Sequence, residues 1–217
     1  METENNSTKK KIKSVFGSII VVVIFILVFA IARWASYEGT TKVIDEYDNN
    51  KAKENTVNYF TDSSSWKKFE SPVGRFSATF PTYPTHDSEN LDIPGTQLVM
   101  KYDMYSSETS DGTAYMINTS TYSDEIDVSN PETNLEGALN GMLASSEGNE
   151  LVSSNLTTFN GNSALDYLVF NKGEGEIYMK GKIILSGQTM CQLLVAYEKS
   201  NYNENNYNKF INSLTIK

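Results

Sequence analysis

One cysteine and one histidine are all that this chain of 217 residues contains of either type. The lone Cys191 can close no intrachain disulfide and build no Cys-based metal site. Its neighbours Met190, Leu193 and Val195 fit a small buried hydrophobe better than a reactive thiol. The lone His86, followed by Asp87, would need an orienting acid and an adjacent nucleophile to serve a hydrolytic triad, and no Gly-x-Ser-x-Gly elbow is present. A solvent-exposed loop histidine is the expectation.

Positive charge is scarce too. From residue 66 to residue 217 ten basic side chains stand against nineteen acidic ones. That balance repels phosphate backbones, so nucleic acid is not an expected partner, and it keeps this region off anionic lipid. Lys172-Gly173-Glu174-Gly175 is glycine-rich, but it lies between two strands and opens no helix that could hold an anion, so it reads as a turn.

What the chain does have is one long apolar run. Residues 15–32 are interrupted only by Gly17 and Ser18, and as a helix they span roughly 27 Å at about 1.5 Å per residue, close to a bilayer core. Lys9, Lys10, Lys11 and Lys13 precede the run, whereas only Arg33 and Lys42 follow closely. The positive-inside rule then places the N-terminus in the cytoplasm and the remainder outside. A cleaved secretory signal is the competing reading, because Ala30-Ile31-Ala32 resembles a cleavage site; the run is long against the roughly 7 to 15 apolar residues of a signal peptide. Export follows in both cases, and export without disulfides suits a bacterial surface or periplasmic protein. The expected organisation is a cytoplasmic tail (1–13), a transmembrane helix (14–35), a polar linker or helical stalk (36–65) and one extracytoplasmic domain (66–217).

Within that domain, residues 160–199 read as three consecutive strands of an antiparallel sheet. Asn160-Gly161 supplies the positive φ angles of a two-residue hairpin, and Ser186-Gly187 marks the next turn. Earlier, Phe76, Ala78 and Phe80 alternate with Ser77 and Thr79 as in a half-buried strand, and Pro81 ends it. Residues 83–95 carry two prolines, His86 and several acids, and read as an exposed loop. Leu98, Met100, Tyr102 and Met104 alternate with polar positions, and residues 113–122 form the other arm of an expected hairpin. Asn130-Pro131-Glu132 is a helix start, Leu135, Ala138, Leu139, Met142 and Leu143 share one side, and Gly148 offers a stop. A strand over 151–159, a final helix over 203–213 presenting Tyr207, Phe210, Ile211 and Leu214, and an edge strand at Ile216 complete the pattern. The class is α+β, an antiparallel β-sheet flanked by helices.

Two further features bear on chemistry. Asp124, Glu125 and Asp127 cluster ahead of the middle helix and are the candidate oxygen ligands for a hard cation such as calcium, although the twelve-residue calcium-loop pattern is missing and solvated surface is the default. Tyr102, Tyr105, Tyr115, Tyr122, Tyr167, Tyr178, Tyr197, Tyr202 and Tyr207 are numerous for a small core; packing is their first explanation, a groove or partner surface the second.

Phe69-x-Ser71-Pro72-x-Gly74-x-Phe76-Ser77-x-x-Phe80-Pro81, the single middle helix, the long meander and the terminal Phe210-Ile211-Asn212-Ser213-Leu214 together resemble the PsbP-like superfamily. That group includes an extrinsic photosystem II subunit, the nuclear-transport factor Mog and DcrB-type exported bacterial proteins. The resemblance covers residues 66–217 and implies an α/β/α sandwich around an antiparallel sheet, with no general catalytic activity. It carries across no active-site motif, and a membrane helix stands here where bacterial members typically have a lipidated cysteine or a signal. The functional expectation is a membrane-anchored, extracytoplasmic accessory or partner-binding domain of the cell envelope that is not an enzyme, needs no cofactor and has a protein partner. The alternative is a small-ligand or metal-ion-binding domain with a pocket between the middle helix and the sheet.

Overall fold

The computed structural model describes residues 66–73, 75–93, 97–173 and 176–217. The expected tail, transmembrane helix and stalk fall outside these residues; among the described residues no helix is long and apolar enough to cross a membrane.

The elements run β1 (Lys67–Glu70), β2 (Phe76–Phe80), β3 (Thr85–Asp92), β4 (Val99–Glu108), β5 (Ala114–Thr121), α1 (Pro131–Ala144), β6 (Asn149–Phe159), β7 (Asn162–Asn171), β8 (Ile177–Ser186), β9 (Thr189–Glu198), α2 (Glu204–Asn212) and β10 (Thr215–Ile216). Seven strands form one antiparallel sheet in the order β3-β4-β5-β9-β8-β7-β6, and β1-β2-β10 form a second, small one. The three strands over 160–199 are present as β7, β8 and β9, with β9 in the middle position. The turn between β6 and β7 is made as its residues dictate, with Asn160 at φ 49° and Gly161 at φ 82°.

Both faces of the large sheet are covered. On one face α1 lays Leu135, Ala138, Leu139 and Met142 over Met100, Met104, Met116, Leu165, Val169, Ile183 and Leu194. On the other, β2 and α2 bring Phe76, Phe80, Phe210 and Ile211 against Tyr105, Tyr115, Ile117, Leu193 and Val195. Alternate residues of one strand therefore feed different cores, as Met116 and Ile117 do on β5. The second covering layer is a helix together with a small sheet, where a simple α/β/α sandwich has helices alone.

Both helices begin at asparagine caps. The Asn130 side chain accepts from the Thr133 N–H ahead of Pro131, and the Asn203 side chain accepts from the Asn206 N–H at 3.0 Å. The stop expected at Gly148 comes earlier. Ser145 Oγ at 2.7 Å and Asn149 Nδ2 at 2.8 Å both donate to the Met142 carbonyl, which satisfies the last turn before the glycine is reached.

Residues 83–95 correct the sequence expectation. Their centre is strand β3, paired with β4 from Thr85↔Ser106 to Asp92↔Val99, and not a loop. It is an edge strand with almost every side chain in solvent, so nothing in its pattern signals burial, and pairing with β4 alone makes it a strand.

Gly181 permits the tightest approach in the sheet. Its cross-strand partner on β7 is Tyr167, and a Cβ there would meet the Leu193 carbonyl oxygen at 2.1 Å and the Tyr167 hydroxyl at 2.6 Å. The Tyr167 hydroxyl in turn accepts from Gln192 Nε2 at 2.9 Å and donates to that carbonyl. Replacing Gly181 by Ala is expected to cost about 3 kcal/mol, the upper end for overpacking a core. A urea melt should show a lower midpoint at unchanged slope.

Candidate functional site

A polar band crosses the face that carries β2 and β10. Its origin is register: Asp103 on β4 pairs with Thr119 on β5, which pairs with Cys191 on β9, and one step along Lys101, Thr121 and Thr189 form the parallel row. Two arrangements occupy it.

The first centres on His86. Its strand pairs it with Tyr105, on whose ring the imidazole stacks at 4.4 Å with an interplanar angle of 2°. His86 Nε2 lies 3.0 Å from Asp103 Oδ1, and Lys101 Nζ lies 3.7 Å from Asp103 Oδ2. The Asp103 side chain is 2% exposed against 31% for His86, so the carboxylate is a buried charge compensated by two cationic groups, one of them ionised only when protonated. Tyr105 hydrogen bonds Ser71 Oγ at 3.0 Å through its hydroxyl; burial pushes its pKa up, and the Ser71 bond offsets part of the rise. The expected exposed loop histidine is exposed but lies on a strand, and it has an orienting acid. Chemically the pair can hold a proton or fix the imidazole tautomer. Among the described residues His86 has no hydroxyl or thiol hydrogen-bonded to it, so the acid and the imidazole of a triad are present without the nucleophile.

The second is a cavity of about 110 Å³ beneath β2 and β10, lined by Arg75, Phe76, Thr119, Ser186, Thr189 and Cys191 together with Ile216 and Lys217. Arg75 precedes β2 directly, and its carbonyl accepts from the Lys217 N–H at 2.9 Å. Its Nη1 donates to Thr189 Oγ1 at 2.9 Å and also to Thr121 Oγ1. Thr119 Oγ1 is buried and has no hydrogen-bond partner. The sequence expectation looked for a pocket beside the middle helix; this one lies on the opposite face of the sheet.

The other candidates are placed elsewhere. Asp124, Glu125 and Asp127 stand exposed between β5 and α1; Asp127 Oδ1 accepts from the Ser129 N–H at 2.9 Å. Among the described residues no group of three His, Cys, Asp or Glu side chains is placed to hold a metal ion. Tyr102, Tyr105, Tyr115, Tyr167, Tyr197 and Tyr207 are buried, which makes them packing residues. Tyr178, Tyr197, Tyr202 and Tyr207 form a ring ladder whose end is closed by Lys180, 4.3 Å from the Tyr207 ring and paired with Glu204. The bond donated by Tyr202 is the main reason that the Glu204 carboxyl sits below the ordinary range. Sequence reasoning passed over Arg75 and Asp103, since one is a polar residue beside a turn and the other a polar residue in an alternating strand.

No family model matches the chain, and no curated protein does. Among solved structures, the chain is similar to the cyanobacterial PsbP, CyanoP, of Synechocystis, at 10% identity and a TM-score of 0.46, over 76% of this chain and 98% of that one. It is also similar to a protein of unknown function, PA94, from Pseudomonas aeruginosa, at 11% identity and a TM-score of 0.30, over 63% of this chain and 85% of that one.

Cys191 closes the inner wall of the cavity, and burial pushes its thiol from an ordinary 9.0 up to about 12. The folded state keeps the proton that the unfolded chain releases, so this contribution is whole below pH 9 and is lost as the pH rises from 9 toward 12. Iodoacetamide labelling of the native chain at pH 8 should accordingly be slow and limited by unfolding. A Cys191→Ala chain should lose stability less steeply than the parent above pH 9 in urea melts.

Proposed function

We propose that this chain is an accessory domain of the cell envelope, anchored by residues 15–32 with its N-terminus in the cytoplasm, that binds a protein partner outside the membrane and catalyses no reaction. One observation carries the partner reading: the two edges of the large sheet are guarded unequally. The β3 edge bears His86, Asp87, Glu89 and Asp92, charges that deter a further strand. The β6 edge is eleven residues long and holds one charged residue, Glu150, near its start.

Leu151, Val152 and Leu156 are 46%, 53% and 41% exposed on that strand. A bulge interrupts the pairing between Leu151 and Ser153, and from Ser153↔Leu168 to Phe159↔Asn162 the ladder is regular. Beyond the bulge, a regular, uncharged edge with unpaired backbone groups and an apolar side chain takes an extended peptide by strand addition. Main-chain hydrogen bonds supply affinity, and the apolar positions supply selectivity. The partner is therefore an extended segment of another envelope protein, with basic flanks to suit an acidic domain.

Photo-cross-linking residues placed at Ser154 or Leu156 of the full chain in intact cells should yield one discrete heterologous adduct, and the same residue at Glu89 none. Leu156→Lys should weaken the adduct several-fold. The chain should resist alkaline extraction from the same membranes and be released when residues 15–32 are deleted. Adducts only between two copies of the chain, or none from β6, would overturn the partner reading.

A further inference from the structure

We propose that the cavity under β2 and β10 binds a small oxyanion, a carboxylate or phosphate group, through the Arg75 guanidinium and the hydroxyls of Thr119, Ser186 and Thr189. The inference stands apart from the edge-strand reading and concerns the opposite end of the fold's chemistry, a small ligand.

Arg75 differs from five of the lysines in having no carboxylate partner. Lys101, Lys172, Lys180, Lys182 and Lys217 each stand against a carboxylate: Asp103, Glu150, Glu204, Asp166 and Glu70. Arg75 is the one arginine after residue 33 in a domain rich in acids, yet among the described residues its guanidinium bonds only to hydroxyls, those of Thr121 and Thr189. A guanidinium carries five N–H donors in a planar fork and no acceptor, and its matching ligand is an oxyanion bound through two parallel hydrogen bonds. Here one nitrogen is engaged by threonine hydroxyls and the rest of the fork is uncommitted.

The wall repeats the same chemistry. Thr119 is 2% exposed and its hydroxyl is unpartnered, although buried hydroxyls are almost always satisfied. Ser186 and Thr189, cross-strand partners on β8 and β9, add two rotatable donors, and Cys191 adds a thiol that stays protonated. Phe76 and Ile216 supply the apolar remainder. The volume of about 110 Å³ is several times the roughly 10–15 Å³ that a single water requires, and it suits one small anion and excludes a nucleotide.

Nearby acids do not spoil the site. Asp103 adjoins Thr119 across the β4–β5 pairing, but it is already held by His86 and Lys101. Glu70 is held by Lys217, a residue that lines the cavity. The acidic surface beyond is screened within about 8 Å at physiological salt.

The test is equilibrium dialysis of the full chain in detergent against radiolabelled inorganic phosphate and, separately, radiolabelled acetate, with sodium chloride matching the ionic strength. Saturable binding of one equivalent of either anion is expected, and which one binds identifies the head group. Arg75→Gln should weaken it at least tenfold, Thr119→Val several-fold, and Lys172→Gln, in a distant exposed pair, not at all. Thr119→Val keeps the shape of the side chain and so keeps the question answerable if Arg75→Gln melts early. Failure of both anions to bind, or binding unchanged in Thr119→Val and in folded Arg75→Gln, would overturn the proposal.

Discussion

The large sheet has to bury both of its faces, and most of the structure follows from that requirement. A strand covered on both sides cannot follow the simple apolar-in, polar-out pattern, so β5, β8 and β9 send one set of residues to the core under α1 and the interleaved set to the core under β2 and α2. A slip of one residue would exchange the two sets, which differ in shape: methionine and leucine under α1, aromatic rings under β2 and α2. The positive-φ turns at Asn160-Gly161 and Gly187 and the close fit of Tyr167 over Gly181 hold the register against that slip. Where the covering layers thin out, polar pairs take over. Lys182 and Asp166, 2.5 Å apart, lie on the same face as the aromatic core, toward the β6 side.

Elements that bury a face or make a capped start were legible in the sequence. Asn130-Pro131 and Asn203 announce α1 and α2, and the alternation of Phe76, Ala78 and Phe80 announces β2, because each of these residue choices answers a local physical demand. Strand β3 was not legible, since THDSENLD buries almost nothing and hydrophobic period is the signal that sequence reading relies on. The early end of α1 was missed for a related reason: the Met142 carbonyl in its last turn is satisfied by Asn149, a side chain already belonging to the next strand.

The candidate sites were less legible than the fold. His86 was visible as the lone histidine, but its acid lies 17 residues away on β4 and is reached only through the β3–β4 register. Nothing in its own sequence context marks Arg75; its meaning depends on Thr121 and Thr189, brought beneath it from two strands distant in sequence. Six of the nine tyrosines singled out by number fill the two cores. A residue's chemistry can be read from its type, whereas a site requires knowing which neighbours pairing supplies.

The unequal edges of the sheet connect this architecture to its proposed role. Charges on β3 close one side of a two-faced sheet to further pairing, while β6 offers backbone and leucine side chains with little to repel a partner. Amide hydrogen exchange of the full chain, compared in detergent and in native membranes, tests that reading most directly. The account predicts slow exchange in β8 and β9 under both conditions, and outward-facing β6 amides that exchange fast in detergent and become protected in membranes. Outward-facing β6 amides that are as protected as β9 in detergent, or that stay fast in native membranes, would contradict it.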